Sequence, residues 1–113
     1  MEEMDFNNYQ TRASKTAIYP TDGLNGLLYT SLGLVSEAGE VAGKVKKILR
    51  DNNSVMTDER KEQLIDELGD VLWYCAMIAN ELKTNLGAVA ARNINKLEDR
   101  KNRNVIGGSG DNR

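Results

Sequence analysis

The stretch IDELGDVLWYCAMIA, residues 65–79, decides the fold class of this 113-residue chain. From residue 68 to residue 79 every side chain is apolar, aromatic or absent, except for the carboxylate of Asp70. An apolar run of this length without proline predicts a helix that is buried on more than one side. A lone acid is costly in a buried helix unless a ligand or a partner compensates its charge. Asp70 is therefore the first candidate for a functional residue.

The composition of the whole chain favours an all-α fold. One proline, 5% aromatic residues and many Ala, Leu, Lys and Glu suit helices better than sheets. A net charge of −2 supplies no field that would draw the chain to nucleic acid or to an anionic membrane. The lone Cys75, with no signal peptide and no membrane-spanning run, predicts a cytoplasmic protein. Because the chain has no histidine, a metal site must use oxygen ligands, which favour Mg²⁺ or Mn²⁺ over zinc.

The spacing of apolar residues predicts four helices, with the chain reversing at Asn52–Asn53. The predicted helices cover residues 5–17, 24–49, 57–83 and 85–102. We predict a four-helix bundle-like protomer with a central antiparallel hairpin of the second and third helices. Because three thin neighbours hardly cover an apolar third helix, we also predict a homo-oligomer, a dimer or a tetramer. Residues 1–106 are predicted to form one domain, and residues 107–113 a flexible glycine-rich tail.

Two pairs of acids mark the predicted hairpin. SEAGE carries Glu37 and Glu40, and DELGD carries Glu67 and Asp70. The acids of each pair are three residues apart and share one helix face. Since 37 and 70, like 40 and 67, lie equally far from the predicted turn, an antiparallel hairpin brings all four acids level. Ionised carboxylates about 5 Å apart repel by roughly 3 kcal/mol per pair, so we predict that divalent cations neutralise the cluster.

Each motif also contains a glycine, Gly39 or Gly69, which costs the helix about 1 kcal/mol relative to alanine. Close helix packing at this level, or access for a ligand, is the compensation that we expect. Lys44 and Lys47 follow Glu40 at distances that allow ordinary ion pairs along the second helix. Asp70, inside its apolar run, has no such neighbour.

The two motifs and their surroundings resemble the E-x-x-E…E-x-x-D signature of the MazG-like nucleoside triphosphate pyrophosphohydrolases, members of the all-α NTP pyrophosphohydrolase superfamily. The similarity extends from about Tyr9 to the C-terminus and includes GLLYTSLGLVSEAGEVAGKVKK, NINKLEDRK and GSGDNR. The resemblance implies Mg²⁺-dependent hydrolysis of a (d)NTP to (d)NMP and pyrophosphate, with Mn²⁺ able to substitute. A role in cleaning the nucleotide pool is the corresponding expectation.

The resemblance also implies roles for individual acids. It makes Glu37, Glu40, Glu67 and Asp70 the metal ligands. Either Glu37 or Glu40 would take a proton from the attacking water. Many relatives have a further Glu directly before the first motif acid, where this chain has Ser36. The identity of the general base is therefore left open between the two glutamates.

On the fourth predicted helix, Asn93, Lys96 and Arg100 form a single stripe, at i, i+3 and i+7. From spacing alone, a salt-bridged surface with Glu98 and Asp99 is the favoured interpretation. The resemblance instead implies that the stripe contacts the substrate, and an Arg fork suits phosphate oxygens. We call Asn93, Lys96 and Arg100 the α4 stripe.

The ending GSGDNR carries a hypothesis of its own, because it matches the endings of relatives. Composition alone favours a disordered tail. The resemblance leads to the hypothesis that Arg113, with Gly110 and Asp111, folds over bound phosphate as a lid. Trp73 and Tyr74 offer rings for stacking a base, but aromatic residues in an apolar helix are more often core.

Two alternatives to an enzyme of this kind were weighed. A non-enzymatic helical oligomerisation or regulatory module would use the acidic groove to bind a basic segment of a partner. Such a module would turn over no nucleotide, whereas an enzyme would turn over at least one. A diiron or dimanganese carboxylate bundle ranks last, because its usual E-x-x-H motif needs a histidine.

Overall fold

A computed structural model describes residues 3–51 and 53–113, which form four α-helices and no strand. The helices are α1 (Phe6–Ser14), α2 (Asn25–Asp51), α3 (Asp58–Glu81) and α4 (Leu86–Asn102). The predicted all-α class is confirmed, and each predicted helix is present. Their ends lie within three residues of the predicted ones, as expected where the last turns of helices fray.

Short polar residues set the starts of three helices. The side chains of Asp5, Thr57 and Asn85 accept hydrogen bonds from the backbone N–H groups of the first turns of α1, α3 and α4. Each bond satisfies a donor that the helix itself leaves unpaired.

Two residues in the connection from α2 to α3 have left-handed backbone angles. Asn52, half of the predicted reversal point, lies outside the described residues. The next two residues, Asn53 and Ser54, have φ angles of 51° and 62°. The Ser54 N–H donates to the carbonyl of Ile48 at 3.2 Å, which satisfies an acceptor in the last turns of α2.

The contacts between α2 and α3 run in opposite order along the two helices. The Glu81 carboxylate lies over Gly26, the Tyr74 ring lies against Gly33, and Lys44 lies 3.6 Å from Glu67. As residue numbers rise along α2, the numbers of their neighbours fall along α3.

The buried core is small and lies where α1, α3 and α4 meet. It consists of Ala13, Ala76, Met77, Ala79 and Leu86. The polar Gln10 on α1 is also buried, at 6% exposed. The Gln10 amide donates to Asn80 and to the carbonyl of Thr84, and its oxygen accepts from the N–H of Leu86. These bonds join α1 to the α3–α4 connection and leave the buried amide satisfied.

Only the later half of the apolar run is buried, which corrects the expectation that α3 is covered on several sides. Ala76, Met77 and Ala79 are buried, whereas Leu68 is 61% exposed and Asp70 is also exposed. The difference follows from the packing, since α1 and α4 cover the end of α3 near the core and leave its earlier turns open. Among the described residues, no helix is both long and apolar enough to cross a membrane.

Candidate functional site

Three of the four motif acids converge in the structure. One carboxylate oxygen each from Glu37 on α2 and from Glu67 and Asp70 on α3 lie within 4.8 Å of one another. Glu37 and Glu67 are half-buried, and Asp70 is exposed. We call these three residues the acid cluster.

The acid cluster carries more negative charge than its neighbourhood compensates. Partial burial raises the pKa of the Glu37 carboxyl, and the charges of Asp70, Glu67 and Glu40 raise it further. Lys44, which we expected to pair along its own helix, lies 3.6 Å from the Glu67 carboxylate on α3. One ammonium group beside three carboxylates leaves a net attraction for a further cation.

The donor set of the acid cluster fits a hard divalent cation. Mg²⁺ takes oxygen ligands at about 2.0–2.1 Å, so two ligand oxygens on one ion lie at most about 4.2 Å apart. The three oxygens lie within 4.8 Å of one another, and a small movement of flexible side chains brings them to that separation. The exposed side of Asp70 leaves room for the waters and substrate phosphates that Mg²⁺ usually keeps.

Glu40, the fourth predicted ligand, does not belong to this group of three. It lies one turn after Glu37 on α2, and its side chain is exposed. Its negative charge is near enough to contribute to the raised pKa of Glu37. The metal-binding and proton-accepting roles of Glu40 stay predictions.

The glycines inside the motifs do not bring helices together within this chain, so the expectation of close packing there is wrong. A Cβ added to Gly39 or to Gly69 would meet nothing within 4 Å. Nothing else in the described part of this chain packs on these two glycines, and ligand access there stays a prediction. Close approach occurs instead at Gly26, under the Glu81 carboxylate, and at Gly33, under the Tyr74 ring.

A signal for this packing was present in the sequence and was missed. Gly26, Thr30, Gly33 and Glu37 recur every three or four residues, which places them on one face of α2. Small residues on one helical stripe permit a close neighbour. Because Glu37 continues the same stripe, the packing of the glycines directs its carboxylate towards α3.

An aromatic group adjoins the acid cluster. Tyr19 stacks on Tyr29, with ring centroids 5.1 Å apart, and Trp73 meets Tyr74 edge-to-face at 5.0 Å. Burial raises the pKa of Tyr74, and a hydrogen bond with Tyr29 and the charges of Glu37 and Asp70 raise it further. The partly buried Trp73 packs against the core, as the core interpretation predicted. Tyr19 and Tyr29 were not singled out from the sequence.

The α4 stripe borders an open cleft of about 480 Å³. Asn93 and Lys96 line the cleft together with Val89, Arg92, Asp111 and Asn112. The Arg100 side chain is only 5% exposed. Asp99, expected beside the stripe, pairs with Arg103 at 2.9 Å instead.

The partner of the α4 stripe comes from the C-terminal residues. Lys96 and Arg100 lie 3.1 Å and 3.3 Å from the same carboxylate oxygen of Asp111. Arg100 also donates to the backbone carbonyl of Asp111 at 2.7 Å. The two cations hold the pKa of the Asp111 carboxyl below its usual range, so the carboxylate is ionised at neutral pH.

Arg113 contacts the backbone of its own segment. Its guanidinium donates to the carbonyls of Val105, Ile106 and Gly110 at 2.5–3.1 Å. Arg103 in turn donates to the carbonyl of Arg113 at 2.7 Å. The predicted flexibility of residues 107–113 and the predicted lid stay predictions.

The acid cluster is built on α2 and α3, whereas the α4 stripe is on the helix that follows. Helix α2 packs against α3, and α4 packs against α1 and α3. Within residues 3–51 and 53–113, no Cα atom of α2 lies within 8 Å of a Cα atom of α4.

Comparisons with known proteins agree with the motif pattern. Residues 27–105 match the MazG nucleotide pyrophosphohydrolase domain, and the chain belongs to this family. The resemblance inferred from the motifs is thereby confirmed. The chain is also similar to the Gene 37 protein of Mycobacterium phage L5, with 55% identity over 114 residues, covering 97% of this chain and 100% of that protein. No solved structure gives a significant match.

Proposed function

We propose that the protein is a Mg²⁺-dependent nucleoside triphosphate pyrophosphohydrolase, which splits a (d)NTP into (d)NMP and pyrophosphate. Membership of the MazG family supports nucleotide pyrophosphohydrolase activity. The observation that carries the proposal is the convergence of Glu37, Glu67 and Asp70 from two helices. Removal of unwanted nucleotides from the cytoplasmic pool is the role that we propose for this activity.

In this proposal Glu37, Glu40, Glu67 and Asp70 hold the cation, and Mn²⁺ can replace Mg²⁺. When bound, the ion supplies positive charge to the phosphates and acidifies a coordinated water. The protein's own carboxylates then have two tasks, to hold the ion and to accept the proton of the attacking water. Glu37 or Glu40 accepts this proton.

The proposed phosphate-binding residues are Asn93, Lys96, Arg100 and Arg113. Two observations support the first three: the open cleft beside Asn93 and Lys96, and the contact of Lys96 and Arg100 with a carboxylate. A pair of cations that binds a carboxylate also binds phosphate oxygens. For the proposed role of Arg113, the tail must leave its present backbone contacts.

We further propose a central antiparallel hairpin of α2 and α3 and a homo-oligomer. The opposite order of the α2–α3 contacts supports the hairpin. An apolar face at the start of α2 supports the oligomer. Leu24, just before α2, is 79% exposed, and Leu28, Leu32 and Val35 on the helix are 58%, 64% and 72% exposed. A contiguous apolar face of this kind on a soluble chain is typical of a protein interface.

Replacing Leu32 by asparagine should shift the protein towards smaller species. The change places an amide in the apolar face, where burial without a partner costs about 1–3 kcal/mol. Light scattering after gel filtration measures the mass of the assembly. The matched control is Leu82→Asn, at a position of similar exposure at the end of α3. A wild-type protein with the mass of one chain would contradict the oligomer.

Mg²⁺ should raise the melting temperature of the wild-type protein. A ligand that binds the folded state alone stabilises it by about 2.7 kcal/mol at 100 times its dissociation constant. Thermal unfolding followed by circular dichroism gives the shift. Glu67→Gln removes one charge of the acid cluster and should reduce the shift strongly. An equal shift in wild type and variant would show that the ion binds elsewhere.

The activity itself is tested by a panel of canonical and modified dNTPs and NTPs. Pyrophosphate and monophosphate are measured with Mg²⁺ and with a chelator. We expect stoichiometric pyrophosphate and monophosphate from at least one nucleotide, in the presence of Mg²⁺ only. Absence of turnover with every nucleotide would overturn the proposal and favour a non-enzymatic helical module.

A further inference from the structure

The two cations of the α4 stripe, Lys96 and Arg100, already bind an anionic side chain. The Asp111 carboxylate lies 3.1 Å from the Lys96 ammonium and 3.3 Å from the Arg100 guanidinium. Because the Arg100 side chain is 5% exposed, its charge depends on protein acceptors more than on water. Asp111 supplies two of them, its carboxylate and its backbone carbonyl.

We propose that Asp111 is an internal competitor for polyphosphate. Its carboxylate occupies Lys96 and Arg100 while no substrate is bound, and the phosphates of the substrate displace it. This inference rests on the proposed function only in assigning the α4 stripe to phosphate binding. Carboxylate and phosphate oxygens accept the same hydrogen bonds from ammonium and guanidinium groups. The Asp111 carboxylate and a substrate phosphate therefore compete for the same donors.

The geometry of the segment allows this exchange. The Asp111 side chain is 83% exposed, so water replaces its ion pairs at a small cost. It follows Gly108 and Gly110, whose φ angles of 93° and 85° lie in a region that glycine adopts without steric cost, and glycine can leave that region as readily. The cleft beside Lys96 offers about 480 Å³ for the incoming phosphates.

The carbonyl of Asp111 adds a second feature to the exchange. It accepts from Arg100 at 2.7 Å, a shorter contact than the one made by the carboxylate. Arg100 therefore keeps a backbone acceptor when the carboxylate turns away. Substrate binding would thus replace the charged contact and leave the segment attached to α4.

The test is calorimetric titration of the full chain with inorganic tripolyphosphate in the presence of Mg²⁺. Asp111→Asn removes the competing charge and keeps the side-chain volume and one acceptor oxygen. We expect the variant to bind tripolyphosphate about two- to fivefold more tightly than wild type, the range for loss of an exposed ion pair. The matched control Asp99→Asn removes the same charge from α4, the helix that carries Lys96 and Arg100, at the exposed pair with Arg103, and should change the affinity little.

Equal or weaker binding by Asp111→Asn would overturn the inference. Weaker binding would make Asp111 a residue that positions the two cations for phosphate. A second measurement uses the wild type alone, the NMR titration of the Asp111 side-chain carboxyl carbon. Its pKa should rise towards the ordinary value when tripolyphosphate is present, and an unchanged pKa would also overturn the inference.

These measurements are separable from the proposed activity. Tighter tripolyphosphate binding by the variant, with no pyrophosphate released from any nucleotide by wild type, would uphold the competitor and reject the enzyme. Pyrophosphate release by wild type together with unchanged binding by the variant would uphold the enzyme and reject the competitor.

Discussion

Asp70→Asn should lower the rate of pyrophosphate release at least about 100-fold. Loss of a residue that only supports a metal ligand typically lowers metal affinity or activity about 10- to 100-fold. Asp70 is proposed as a ligand itself, so we expect a larger effect. Asparagine keeps the size of the side chain and removes the charge that attracts the cation. Since Asp70 is exposed, the substitution should leave the fold intact. Initial rates at saturating nucleotide and Mg²⁺ measure the effect.

Asp66→Asn is the matched control for this experiment. Asp66 is an exposed acid one turn earlier on α3 and is not a member of the acid cluster. Its substitution changes net charge by the same amount and should keep most of the activity. An equal loss in both variants would mean that overall charge, and not the cluster, governs turnover.

Gly33→Ala should destabilise the protein by about 2 kcal/mol, because the Tyr74 ring occupies the space that the new methyl group needs. The ring belongs to the aromatic group beside the acid cluster, so its displacement should also reduce turnover. For a domain of this size, a loss of about 1 kcal/mol lowers the melting temperature by roughly 4 °C or more. Thermal and urea unfolding give the loss of stability.

Gly43→Ala is the control for the helix-propensity part of this change. A Cβ at Gly43 would meet nothing within 4 Å, so alanine should stabilise α2 by about 0.5–1 kcal/mol. The two variants make the same chemical change in the same helix and should shift stability in opposite directions. A gain of stability in Gly33→Ala would contradict the packing of Tyr74 against α2.

The four helices followed from local sequence, because apolar spacing, N-caps and turn residues act within a few positions. The convergence of Glu37 with Glu67 and Asp70 was also predictable from the sequence. It depends on the equal distance of the two motifs from the predicted chain reversal. The exposure of the early turns of α3 was not predictable from local sequence. It depends on which helices pack against each face of α3. Of the two explanations expected for Gly39 and Gly69, close packing within the chain was wrong for the same reason, because sequence alone does not show which face of a helix meets a neighbour.

The partner of the α4 stripe was beyond local reasoning. Spacing favoured Glu98 and Asp99, which are near Lys96 and Arg100 in sequence. The structure brings Asp111 to both cations instead. This contact depends on the path of a glycine-containing segment through positive φ angles, and no periodic pattern encodes such a path.

The most direct test of the account is an anomalous difference map from a crystal grown with Mn²⁺ in place of Mg²⁺. The account predicts a peak among the carboxylates of Glu37, Glu67 and Asp70, and loss of that peak in Asp70→Asn. A map with no peak at these three side chains, from crystals of an enzyme that needs Mn²⁺ for turnover, would contradict it.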